Sequence, residues 1–201
     1  MALRMQGAAR SLVLIVLLAG VAACNTTSLV DRPRAVSPQL IADDSVASDL
    51  RVLADGTWQK FTAAFEVRSG CFGDVRLHTA RDLGSRAAYD PETATVMVQV
   101  PATVAMLESA LVHEWAHHIE FQCPDQEELR PVFLAALGLP VDTPWRPDDT
   151  SAKMPAADWS RIPSEQYAEA VVEYVLGRRP IPTGAVVRQA AIDVIAQWAA
   201  H

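Results

Sequence analysis

The sequence predicts an α+β domain, with a small antiparallel or mixed sheet, one long central helix and further helices toward the C-terminus. Three observations carry this reading. Apolar residues recur at helical spacing from Val46 to Phe65, two short segments between residues 74 and 100 have strand character, and several helical patterns with end signals follow Thr103. With 201 residues, 50% hydrophobic and 20% charged, the composition is that of an ordinary folded chain, and one domain is the expected count.

The first helix rests on Val46, Leu50, Leu53, Trp58, Phe61 and Phe65, contains Gly56 as a weak point, and is expected to end near Ser69-Gly70. Asp74–Thr79 sets Val75, Leu77 and Thr79 against Arg76 and His78, and Thr95–Val100 is rich in valine, so both read as strands. Asp90-Pro91-Glu92-Thr93 reads as the turn ahead of the second strand. Pro101 stops that strand, and Thr103 is placed as the N-cap of a long helix from Val104 to about Phe121. A further helix, from about Asp125 to Leu137, has acidic residues in its first turn and stops at Gly138-Leu139-Pro140. Val141–Pro163 is irregular and proline-rich, a length that in a compact domain is usually functional or disordered. Ser164 is expected to cap a helix ending at Gly177, and a last amphipathic helix to cover about Gly184 to Ala200.

Ahead of the domain, Arg4 and Arg10 flank or precede Ser11–Ala23, a run of 13 residues without charge or proline. A membrane-crossing helix needs roughly 20 such residues, so residues 1–23 are expected to be a cleaved secretory signal. Val21-Ala22-Ala23-Cys24 resembles the lipobox of bacterial lipoproteins, which implies that Cys24 is lipidated and becomes the mature N-terminus. The alternative is a plain signal peptide with a chance cysteine. Residues 24–44 hold Pro33 and Pro38 without periodicity and are expected to be a flexible tether to a folded domain at 45–201. The implied location is the bacterial cell envelope outside the cytoplasm, on either membrane, with the lipid at Cys24 as the membrane contact.

Charge excludes one class of partner. Lys+Arg 17 against Asp+Glu 24 gives a net −7, and loss of residues 1–23 removes two arginines and no acid, taking it to −9. No basic cluster exceeds Arg178-Arg179, so nucleic acid is not an expected partner. With Cys24 used at the terminus, Cys71 and Cys123 remain as a pair in an oxidising compartment and are expected to form a disulfide. The alternative is Cys123 as a thiolate metal ligand, six residues after His117.

The chemistry concentrates in His113-Glu114-Trp115-Ala116-His117-His118. His113 and His117, four apart, project from one helix face one turn apart and can reach one Zn2+ ion. Glu114 lies about 100 degrees round the helix, badly placed as a third ligand but able to meet a zinc-bound water and take its proton. A third ligand is supplied by Ser164–Ala170 (SEQYAEA), where Glu165 and Glu169 share one helix face. Such like charges destabilise a helix unless a cation joins them. Glu165 as zinc ligand and Glu169 as acceptor for the free ring N–H of a ligating histidine resolve the conflict.

Together HEWAHH and EQYAEA resemble the gluzincin metallopeptidases. Closer likenesses are the bacterial putative neutral zinc metallopeptidases and the lethal-factor-type catalytic domain, and the resemblance covers about residues 87–176. The resemblance implies a zincin-like fold, His113, His117 and Glu165 as zinc ligands, Glu114 as general base and Glu169 as support for a ligand histidine. It also implies a peptide or protein substrate, with Thr95–Val100 as the substrate-binding edge strand. One departure concerns the tyrosine that the lethal-factor group places seven residues before the ligand glutamate, since Asp158 stands there. Tyr167, Arg161 and His118 are the candidates for stabilising the oxyanion in its place.

The expected function is zinc-dependent peptide-bond hydrolysis. A catalytically silent zinc-binding envelope lipoprotein and a peptidase acting on peptidoglycan cross-links are the alternatives. Ordinary roles are expected for His78 (structural), His201 (solvated), Glu173 (a solvated face or an Arg partner) and, over a role in the site, for His118. Trp115 and Trp159 are core or pocket-wall residues that the sequence does not separate.

Overall fold

The computed structural model describes residues 37–147, 156–178 and 180–201, all within one compact unit, Ala35–His201. Residues 1–23, expected to be a signal segment, Cys24, expected to be lipidated, and the expected tether up to residue 36 lie outside the described residues. Among the described residues no helix is long and apolar enough to cross a membrane.

Mixed α+β architecture is as expected. The strands are β1 (Leu40–Ala42), β2 (Val75–Ala80), β3 (Ala87–Asp90) and β4 (Thr95–Gln99), in the order β1-β2-β4-β3. β1 and β4 run parallel to β2, and β3 runs antiparallel to β4. The helices are α1 (Ser48–Ala64), α2 (Ser69–Phe72), α3 (Val104–Gln122), α4 (Gln126–Leu137), the short α5 (Ala156–Trp159), α6 (Pro163–Leu176) and α7 (Gln189–Ala199). Central α3 packs against α1, α6, β3 and β4. Leu111, Val112, Trp115, Ala116 and Ile119 are fully buried on α3, as suits a helix enclosed on most sides. Trp115 is a core residue, with its ring 4.9 Å from Trp58 and 5.5 Å from Phe61 between centroids.

Helix ends follow local chemistry. Thr103 caps α3 by accepting the Met106 N–H, as expected. Gly138 closes α4 at φ +74, a left-handed conformation cheap only for glycine, and Leu139 N–H returns to the Leu134 carbonyl.

Several boundaries depart from expectation. Residues 40–42, assigned to the tether, form β1, so the folded region begins before Ser45. The first helix stops at Ala64, and a 3-10 turn at Glu66–Arg68 leads into α2. β3 was not foreseen: Ala87-Ala88-Tyr89-Asp90 holds no β-branched residue and becomes a strand through its ladder with β4. That pairing makes β4 internal, so the edge strand is β3 and not Thr95–Val100. Ser164 does not cap α6. Ile162 is the N-cap, Pro163 takes the first turn where its missing N–H costs nothing, and Ser164 is buried one position further in. The last helix starts at Gln189, after Gly184 and the weak helix formers Val186 and Val187.

Cys71 and Cys123 are bonded, joining α2 to the C-terminal end of α3 with a sequence separation of 52. Cys123 is therefore not a thiolate ligand. Closing a loop of this size stabilises by about 4 kcal/mol in the chain-entropy model. The Cys71→Ser, Cys123→Ser double variant should lose about that much stability in denaturant unfolding. An unchanged midpoint would remove the disulfide from the account of stability.

Candidate metal centre

α3 and α6 cross with their ligand-bearing faces together. His113 and His117 stand one turn apart on α3, and Glu165 and Glu169 one turn apart at the start of α6. His113 Nε2 lies 3.1 Å from Glu165 Oε2 and 3.2 Å from His117 Nε2, while His117 Nε2 lies 3.4 Å from Glu165 Oε2. A tetrahedral ion with ligands at about 2.0–2.1 Å spaces its donors about 3.3 Å apart, so this triangle has the size that one bound metal ion requires. The group could hold a metal ion.

The opposite ring nitrogens sharpen this. His117 Nδ1 is 2.8 Å from Glu120 Oε2, and His113 Nδ1 is 3.4 Å from Glu169 Oε1. A carboxylate facing Nδ1 holds the proton there and leaves Nε2 as a lone pair. Two such lone pairs and a carboxylate oxygen then converge on one point, which is repulsive unless a metal ion or a proton lies between them. All three ligand side chains are at most 12% exposed, so water screens that repulsion poorly.

Burial raises the Glu165 carboxyl, but hydrogen bonds from His113 and His117 outweigh it and hold it well below the ordinary range. Burial likewise raises Glu120, and the His117 and Arg146 contacts reverse it. Burial lowers His117, while Glu120 and Glu165 raise it further, for a net upward shift. Glu114 differs from both acids: burial raises it, and the neighbouring histidines only partly compensate. A raised carboxyl is a stronger base than an ordinary one.

A cleft of about 900 Å3 opens over the centre. His113, Glu114, His117, Glu165 and Glu169 all line it, with Ala87 and Tyr89 of β3 on one side and Ile162, Val172 and Ile181 among its apolar residues. Trp159, left undecided by the sequence, lines the cleft and stacks on His113 at 5.7 Å between centroids.

The proposed oxyanion residues fare differently. Tyr167 is fully buried against Phe133 and Trp145, and Arg161 is exposed, and neither lines the cleft. His118 is buried, with Nδ1 2.9 Å from Tyr89 Oη and Nε2 3.3 Å from the Gly73 carbonyl, an ordinary hydrogen-bonded role. His78 lies 2.6 Å from Asp43 and holds β2 near the start of α1, away from the centre. Sequence reasoning missed Glu120 and Arg146. Glu120, three residues after His117, carried a readable signal, because positions i and i+3 are neighbours on a helix. Arg146 carried none, coming from an irregular segment.

No family model, curated protein or solved structure matches this chain.

Proposed function

We propose that this protein is a zinc-dependent peptidase of zincin-like fold. The observation that carries the reading is the convergence of His113 Nε2, His117 Nε2 and Glu165 Oε2 within 3.4 Å, with Glu114 beside them in an open cleft. Three protein ligands leave a coordination position free, whereas a purely structural zinc site is usually closed by four. Glu114 has no ligand task in that arrangement, which also favours catalysis over a silent binding protein.

His113, His117 and Glu165 would hold the zinc ion, which would supply an acidified water molecule and a Lewis acid for the scissile carbonyl. Glu114 takes a proton from the attacking water and returns it to the leaving amine. Glu169 and Glu120 hold the ring protons of His113 and His117 on Nδ1 and so keep both Nε2 atoms facing inward. The outer edge of β3 lies free of strand partners among the described residues and beside the cleft, which supports an extended peptide pairing there.

The test is zinc content together with hydrolysis of a mixed peptide library and of cell-wall fragments by the purified protein, with and without chelator. Chelator-sensitive cleavage supports the reading; fully zinc-loaded protein that cleaves nothing favours the silent binding protein. The apolar run and Val21-Ala22-Ala23-Cys24 support the companion proposal of a lipid-anchored envelope protein. Mass analysis of protein from bacterial membranes should then show a lipid-modified N-terminus at Cys24. An unmodified chain, or one retaining residue 1, ends that proposal.

A further inference from the structure

The loop after α4 sends one cation into the metal centre. Arg146 Nη2 lies 3.2 Å from Glu120 Oε2, and Nη1 lies 3.4 Å from Glu165 Oε1, the oxygen turned away from the two histidines. Glu120 in turn faces His117 Nδ1 at 2.8 Å. Arg146 Nη2 also lies 3.1 Å from His117 Nδ1, so one guanidinium joins a ligand of α3, directly and through Glu120, to a ligand of α6.

The surroundings hold it in place. The Trp145 carbonyl accepts the Ser164 N–H at 3.1 Å, the Trp145 indole donates to Glu120 Oε1 at 3.0 Å, and the Arg146 guanidinium lies over the Phe121 ring at 5.3 Å. The carboxylates it joins are nearly water-free, with side-chain exposures of 3% for Glu120 and 7% for Glu165. A planar fork with fixed donor directions can set the relative position of two carboxylates, which a flexible ammonium cannot.

We infer that Arg146 is a positioning residue that locks the α3 and α6 ligands into one metal-binding geometry. The inference rests on the metal-site reading above. Two physical effects of opposite sign make it testable. A positive charge beside a cation site weakens metal binding by repulsion, so removal of the charge alone would tighten it. Loss of a clamp lets the ligands spread and loosens it.

The test is Zn2+ affinity of the full chain by competition with a chromogenic chelator, for wild type, Arg146→Gln, Arg146→Lys, Glu120→Gln and the Arg146→Gln, Glu120→Gln double variant. Clamping predicts about tenfold weaker binding in both Arg146 variants, because lysine keeps the charge and loses the fork. It also predicts that the double variant is little weaker than the weaker of its two single parents, since both interrupt one linkage. Co2+-substituted Arg146→Lys should show an altered visible absorption band, a change in ligand field that a remote loss of stability would not produce. If Arg146→Gln does not fold, Arg146→Lys takes its place in the cycle.

Zn2+ binding equal to or tighter than wild type in the Arg146 variants, or additive losses in the double variant, overturns the inference. Wild type that binds no divalent ion overturns instead the metal site on which it rests.

Discussion

Replacing Glu114 by Gln should leave zinc bound and lower turnover by at least about 10²-fold, the usual contribution of a positioned general base. Glutamine keeps the shape and hydrogen-bonding reach of the side chain and removes only its basicity. Glu114 is not among the three converging donors, so metal analysis of the variant should match wild type. The same substitution should raise the melting temperature of the metal-free protein. Burial raises the Glu114 carboxyl in the folded state, which means that its ionised form opposes folding at neutral pH, and glutamine removes that charge. Lower turnover with unchanged zinc and a higher melting temperature is the pattern of a residue kept for chemistry at the expense of stability. Full activity in this variant, on whatever peptide the wild type cleaves, would sink the peptidase reading.

The second large effect is on the metal. Ala at His113, His117 or Glu165 removes one of three ligands and should abolish stoichiometric zinc binding at micromolar concentration. Thermal unfolding gives an independent readout. Free zinc at 100 times its dissociation constant stabilises a folded site by about 2.7 kcal/mol, so wild type should lose several degrees on chelation. The three variants should melt at temperatures indifferent to zinc or chelator. Glu169→Ala should fall between, with affinity reduced about 10- to 100-fold, because Glu169 touches His113 on the side away from the other ligands. A ligand variant that still responds to zinc as wild type does would place the metal elsewhere.

Features that repeat over short distances along the chain were legible from the residues alone. A spacing of four from His113 to His117, and of four from Glu165 to Glu169, sets each pair on one helix face, because the helical period does so regardless of the rest of the molecule. The Thr103 cap and the Gly138 stop are local for the same reason, involving neighbours within one turn. The Cys71–Cys123 bond was legible by counting, since one cysteine was assigned to the N-terminus and two remained.

Tertiary structure alone decided the features made by partners far apart in sequence. β1 and β3 are three and four residues long, too short to show a period, and exist because β2 and β4 offer them a ladder. With β3 in place the edge strand moved from Thr95–Val100 to Ala87–Asp90, a matter of strand order on which alternation is silent. Tyr167 is packed away among aromatic rings although its helix also carries Glu165 and Glu169, because a residue type does not say which face its neighbours will cover. Arg146 reaches Glu120 and Glu165 from 26 and 19 residues away, out of a segment with no periodicity of its own, and only folding brings its charge to the two acids that would otherwise repel one another in a site shielded from water.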